Sequence, residues 1–194
     1  MEKDEVISNC KVVAIGGSAG SLKVLMHILP LFQTIPTYAI VIILHRKNTE
    51  DNTLEELIAL KTIIPLKIVE DKTLLEAGHI YIAPSDYHLL FEKNMLLSLD
   101  VSKKVNHSRP SIDVSFESAA EVFKSSLVGV LLSGSNTDGT VGLQAIQKLG
   151  GKVIIQNPSN AEMSFMPEHA IKNTNPDLIL DTDEMVALLT SINK

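Results

Sequence analysis

Two arrangements of apolar positions alternate along this chain. Unbroken apolar runs read as strands buried on both faces: Lys11 to Ile15, Thr37 to Leu44, Leu127 to Leu132 and Lys152 to Gln156. Pro65 to Val69 and His79 to Ala83 read as shorter strands. Between them lie stretches whose apolar residues recur at three- and four-residue spacing, the signature of one-sided helices. These predict helices over Ser21 to Leu29, stopped near Pro30, and over Thr53 to Leu60. Further helices are predicted over Asp113 to Lys124 with Asp113 as its cap, Val141 to Leu149 ended by Gly150-Gly151, and Asp183 to Ile192. His88 to Phe91 and Met95 to Leu99 flank Lys93-Asn94 and read as a hairpin. Strands alternating with helices predict an α/β domain with a mostly parallel sheet.

Composition narrows the classes. The 194 residues suit one domain, and no repeat or linker-like stretch divides them; residues 1–10 read as a tail and 11–194 as a single domain. The net charge is −6, no basic block stands out and Trp is absent, so no nucleic-acid partner is expected. Cys10 is the sole cysteine, which rules out a disulfide within the chain and a cysteine-rich zinc site. His79, His88 and His107 lack the spacing of a helical metal motif, and neither a metal nor a cofactor is expected. The charged start MEKDEVISNC lacks the apolar core of a signal peptide, and runs such as YAIVIIL are too short to span a bilayer. These features predict a cytoplasmic protein with no membrane insertion.

The first strand runs into AIGGSAGS and then a helix. A glycine turn at that junction either cradles a phosphate or lifts a nucleophile. A dinucleotide fingerprint needs G-x-G-x-x-G, but counting from Gly16 the later glycine positions hold Ser18 and Ser21. No acidic residue ends the second strand, and Gly20 is followed by Ser21 where a Walker loop needs Lys. Gly16-Gly17-Ser18-Ala19-Gly20 does satisfy G-x-S-x-G between strand and helix. A serine there leaves the sheet at a sharp turn, and the helix N-terminus offers N–H groups to a developing oxyanion.

A serine hydroxyl needs a base. His45 ends the next strand, and a strand–helix–strand unit brings it to the same edge as Ser18. Asp138, in SGSNTDGT after the strand LVGVLL, reaches that edge too and supplies the carboxylate that would orient the base. Taken singly, His45 also reads as an exposed strand-end histidine, and Asp138 as a turn or cap residue.

Together these segments resemble the catalytic domain of the CheB-type protein-glutamate methylesterases. The resemblance runs through IGGSAGS, LHRKN, AGHIYIAPSDYH, NHSRPSIDVSF, GVLLSGSNTDGTVG and the stretch from Gln156-Asn157 to Met166-Pro167. It implies a doubly wound fold with helices on both faces of the sheet and places the nucleophile, base and aspartate on Ser18, His45 and Asp138. It implies hydrolysis of glutamate γ-methyl esters on a methylated chemoreceptor with release of methanol, and deamidation of receptor glutamines. It also implies an oxyanion hole from the backbone N–H groups near Ala19 and Ser135. Arg109, in SRPS, falls in a family loop and is either a substrate-binding cation or a plain loop cation.

The chain departs from the family pattern in three ways. The serine motif begins at Gly16, so no N-terminal receiver domain is expected, and a separate response regulator is the expected regulatory partner. Arg46 and Ser135 stand where the family has methionine, both at the expected substrate cleft. The loop after His45, HRKNTEDN, is polar. A non-catalytic interaction module with the same fold, and a hydrolase of another ester or amide, are the alternative readings of the sequence.

Overall fold

In the computed structural model, residues 9–46 and 52–191 are described. The polar loop beyond Arg46, most of the expected N-terminal tail and Ile192 lie outside the described residues. Seven parallel strands form the main sheet: β1 (Val12–Gly17), β2 (Ala39–Leu44), β3 (Leu66–Lys67), β5 (Ile80–Ile82), β8 (Leu127–Leu131), β9 (Lys152–Gln156) and β10 (Leu178–Leu180). Their order is β10-β9-β8-β1-β2-β5-β3. A second, antiparallel sheet holds the predicted hairpin, β6 (His88–Phe91) and β7 (Leu96–Asp100), with the two-residue β4 (Thr73–Leu74) beside β7.

Alternation along β1 shows why both faces must be covered. Val13 and Ile15 point into one apolar layer; Val12 and Ala14 point into the other. The first layer is closed by α1 (Ser21–Ile28), α2 (Thr53–Ala59) and α6 (Thr182–Ser191), through Leu25, Ile28, Ile58, Leu188 and Leu189. The second is closed by α3 (Ile112–Phe123), α4 (Thr140–Lys148) and α5 (Phe165–Asn173), through Phe116, Leu143, Ile146 and Met166. Each such side chain, fully buried, contributes about 1.5–3 kcal/mol. The sheet is therefore doubly wound, as the resemblance implied. No helix among the described residues is long and apolar enough to cross a membrane.

The chain enters at the sheet centre, builds β2, β3 and β5 to one side, and returns to build β8, β9 and β10 on the other. Strand order thus reverses between β1 and β8, and the carboxyl ends of that pair form the crevice where open α/β sheets place their sites. Register brings the three predicted residues there. Gly17 pairs with Leu44 across β1–β2, and Gly16 with Leu131 across β1–β8, so Ser18, His45 and the 132–139 loop leave the sheet at one edge.

One helix start needs correction. Asp113 does not cap α3; the helix begins one residue earlier and Ser111 caps it, its Oγ accepting from the Val114 N–H at 3.4 Å. Asp113, in the first turn, is buried and accepts from the Gly142 N–H of α4 at 2.8 Å. Nor does Asp138 cap α4, whose cap is Gly139 in the left-handed conformation, φ 94°. The pattern gave no signal for α5 or β10: α5 carries Pro167 in its first turn and buries only three residues, and β10 is three residues long.

Candidate active site

The Ser18 turn is pinned from several directions. The Ser133 carbonyl accepts from the Ser18 N–H at 2.9 Å and from the Ser21 hydroxyl at 2.6 Å. The Ser133 hydroxyl donates to the Ala19 carbonyl at 2.7 Å. Gly20 turns the chain into α1 at φ 85°, a conformation glycine adopts without a Cβ penalty. A side chain on Gly16 would run into Ile112 and Phe116 of α3, so the turn sits directly against that helix. Ser18 is half-buried and Ala19 exposed. Among the described residues the Ala19 and Ser135 N–H groups donate to no acceptor, while Ser135 lies exposed at the mouth of the 132–139 loop.

His45 is held to the same edge by its backbone N–H, which donates to the Gly17 carbonyl at 3.1 Å. Its ring Nε2 lies 2.7 Å from Asp138 Oδ2. Asp138 is fully buried and surrounded by donors. Its Oδ2 also accepts from the Ile112 N–H at 2.7 Å; its Oδ1 accepts from the Ser111 hydroxyl at 2.9 Å, the Asp113 N–H at 3.1 Å and Asn106 Nδ2 at 3.3 Å. The carboxylate therefore sits at the N-terminus of α3, where free N–H groups and the helix dipole favour an anion. Burial alone would raise its pKa, but the hydrogen bonds from His45, Ile112 and Asp113 hold it below the ordinary carboxylate range.

An ionised carboxylate only accepts, so the His45 ring hydrogen lies on Nε2. Asn136 fixes the other nitrogen. Its Oδ1 accepts from the Asp138 N–H at 3.1 Å, which turns its Nδ2 toward His45 Nδ1, 3.3 Å away. Nδ1 is then the acceptor, and it is the ring atom with a lone pair to offer. No hydrogen bond joins Ser18 Oγ to His45 among the described residues.

Asp113 lies against this cluster and shares the Asn106 amide, which donates to Asp113 Oδ2 at 3.0 Å. Burial pushes its pKa up to about 7; the Gly142 N–H opposes the rise and the negative Asp138 adds to it. In the unfolded chain this carboxyl loses its proton near pH 4. The folded protein keeps the proton to higher pH, so stability from this group is full below about 4 and declines as pH rises toward 7. Urea midpoints should accordingly fall between pH 5 and pH 8, and the Asp113→Asn variant should lose part of that slope. Equal slopes in parent and variant would show that Asp113 does not carry the proton.

Other predicted residues fall into local roles. The Arg109 guanidinium bonds Asp86 Oδ1 at 2.7 and 3.2 Å and the carbonyls of Val101 and Ser102 at 2.7 and 2.8 Å, tying two loops together. Arg46 pairs with Glu55 of α2 at 2.7 Å. Buried His88 accepts from the Ser111 N–H at 3.2 Å and donates to the Lys103 carbonyl at 3.1 Å, steadying the start of α3. Met166 is core, packed over Gly134, whereas the Met163 backbone bonds Ser133 and Gly134. No group of three or more His, Cys, Asp or Glu suited to a metal occurs among the described residues. A groove of about 630 Å³ lined by Gly20, Lys23, His27, Glu162 and Asp183 flanks the turn without including Ser18, His45 or Asp138.

Asn136, Ser111, Asn106 and Asp113 join the site without having been expected there from the sequence. A signal existed for Asn136: an asparagine two residues before Asp138 is the pattern of a side chain that accepts from the backbone two residues on. The other three reach the site only because α3 packs across the edge.

Residues 13–189 match a family model described as CheB methylesterase. A relative from Leptospira interrogans is 37% identical over 186 residues, covering 96% of this chain and 96% of its own length. A Salmonella typhi protein-glutamate methylesterase/protein-glutamine glutaminase is 32% identical over 184 residues, covering 93% of this chain. The chain spans 52% of that relative's length. The crystal structure of the Thermotoga maritima CheB methylesterase catalytic domain superposes with a TM-score of 0.89 at 29% identity, covering 94% of this chain and 98% of that one.

Proposed function

This chain belongs to the CheB methylesterase family, and from that premise we propose that it hydrolyses glutamate γ-methyl esters, with Ser18 as nucleophile, His45 as base and Asp138 as the group that orients the base. The observation that carries the reading is the 2.7 Å bond from His45 Nε2 to the buried Asp138 carboxylate at the sheet edge where Ser18 emerges. Because Asp138 takes Nε2, the base acts through Nδ1. Ser18 Oγ passes its proton to Nδ1 as it attacks the ester carbonyl. The carbonyl oxygen becomes an oxyanion, for which the undonated Ala19 and Ser135 N–H groups are the candidate partners. Protonated His45 then gives that proton to the departing methoxide, which leaves as methanol. Water, deprotonated by Nδ1, attacks the acyl-serine; the proton returns to Ser18 Oγ as the glutamate acid is released. Asp138 holds the Nε2–H tautomer and balances the imidazolium.

The same steps with an amide substrate release ammonia, which accounts for the paired activity in the relatives' names. The substrate class follows the family: a methylated chemoreceptor, with a separate response-regulator protein as the candidate regulatory partner.

Methanol release from methylated chemoreceptor membranes, measured beside release from small unrelated methyl esters, tests this. Turnover of the receptor at a rate well above the small esters is expected. Turnover of small esters alone would make the chain a hydrolase of another substrate. Receptor binding without methanol release would make it an interaction module.

A further inference from the structure

In the resting site one donor, the Asn136 amide, already faces the lone pair that Ser18 would need. His45 Nδ1 is the only ring nitrogen free to act as a base, since Nε2 is committed to Asp138. Yet Nδ1 already lies 3.3 Å from Asn136 Nδ2, and no bond from Ser18 Oγ reaches it among the described residues. The Asn136 amide cannot simply rotate away, because its Oδ1 accepts from the Asp138 N–H at 3.1 Å. A flip would place an NH₂ against that N–H and leave two donors facing each other. We propose that Asn136 is a positioning residue that occupies the His45 base in the resting enzyme, so that Ser18 stays unactivated until a bound substrate displaces the Asn136 amide from Nδ1.

The chemistry of the cycle requires that displacement. Nδ1 has one in-plane lone pair; to accept the Ser18 proton it must release Asn136. Once protonated, Nδ1–H is itself a donor and faces the Asn136 NH₂ donor, so the amide stays displaced until the proton leaves. The consequence is selectivity. A small ester that makes few contacts cannot offset the loss of the Asn136 bond, whereas a protein substrate seated across the 132–139 loop can.

The inference rests on Ser18 as the nucleophile, and its test separates the two. A fluorophosphonate probe reacts with an activated serine: the Oγ–P bond forms, fluoride leaves, and the hydroxyl proton goes to His45 Nδ1. Because a hydrogen bond of this kind has a modest net strength, Asn136→Ala should label about 2- to 10-fold faster than the parent. Asn136→Asp keeps the bond from the Asp138 N–H but presents an acceptor to Nδ1, which favours a proton there, and should label more slowly than the parent. A residue that merely supports the loop would slow labelling in both variants. Equal or slower labelling of Asn136→Ala would overturn the proposal.

Ser18→Ala should not label at all. If the parent and every variant fail to label, the Ser18 reading falls, and ¹⁵N spectra of His45 still decide the Asn136 contact. The Nδ1 resonance should move downfield, toward a free imidazole nitrogen, in Asn136→Ala; an unmoved resonance would show that no bond was lost.

Discussion

Ser18→Ala is expected to cut methanol release by about 10⁴- to 10⁶-fold while leaving the unfolding midpoint unchanged. The size follows from how such residues act: nucleophile and base work as a unit, so losing one removes most of what the set supplies, and the residual rate comes from the oxyanion site and binding. The neutrality toward folding follows from the turn. What holds it in place is backbone: the Ser18 N–H on the Ser133 carbonyl, and the Ser133 hydroxyl on the Ala19 carbonyl. The Ser18 side chain makes no hydrogen bond among the described residues, so its removal orphans nothing. Steady-state methanol assays and thermal melts on the same preparation check both halves. Full activity in the variant would remove Ser18 from the mechanism, and loss of activity with a large drop in melting temperature would leave the chemistry and the fold entangled.

Asp138→Asn should be nearly as damaging to turnover, by about 10³- to 10⁴-fold, and should also destabilise the fold. Every group facing the carboxylate is a donor: His45 Nε2 and the Ile112 N–H on one oxygen, and Ser111, Asn106 and the Asp113 N–H on the other. An amide has only one acceptor end. Placed with its NH₂ toward Ile112, it leaves that buried N–H unpaired and forces His45 to accept at Nε2, which puts the ring hydrogen on Nδ1 and removes the base. Placed the other way, it sets the NH₂ against Ser111 and Asp113. A buried group left unpaired costs about 1–3 kcal/mol, and either orientation creates at least one. Kinetics, urea titration and His45 ¹⁵N shifts together test this. A fold of parent stability would mean that the cluster at the α3 N-terminus contributes little, and unchanged turnover would exclude Asp138 from orienting the base.

The apolar runs determined a great deal unaided. Strands buried on both faces read as parallel and central, and β1, β2, β8 and β9 were legible because their hydrophobicity is continuous. The hairpin was legible because β6 and β7 flank a tight turn. The candidate nucleophile, base and carboxylate were legible for a related reason: each follows a strong strand, and parallel strands send their carboxyl ends to one edge. Elements with little apolar burial of their own, such as β4, β10 and α5, gave no comparable signal.

What only the tertiary structure decided is how the three residues are wired. The α3 helix packs its first turn across the edge, and that placement turns Asp138 from a local turn residue into a buried carboxylate on another helix's N-terminus, and Asp113 from a cap into its buried neighbour. The choice of Nε2 for Asp138, and therefore of Nδ1 for the base, depends on the angle at which two loops from different strands meet. Periodicity carries which face a residue lies on, because that is set by its own backbone. It carries nothing about hydrogen-bond partners ninety residues away, such as His45 and Asn136, because those are fixed by how separate elements pack.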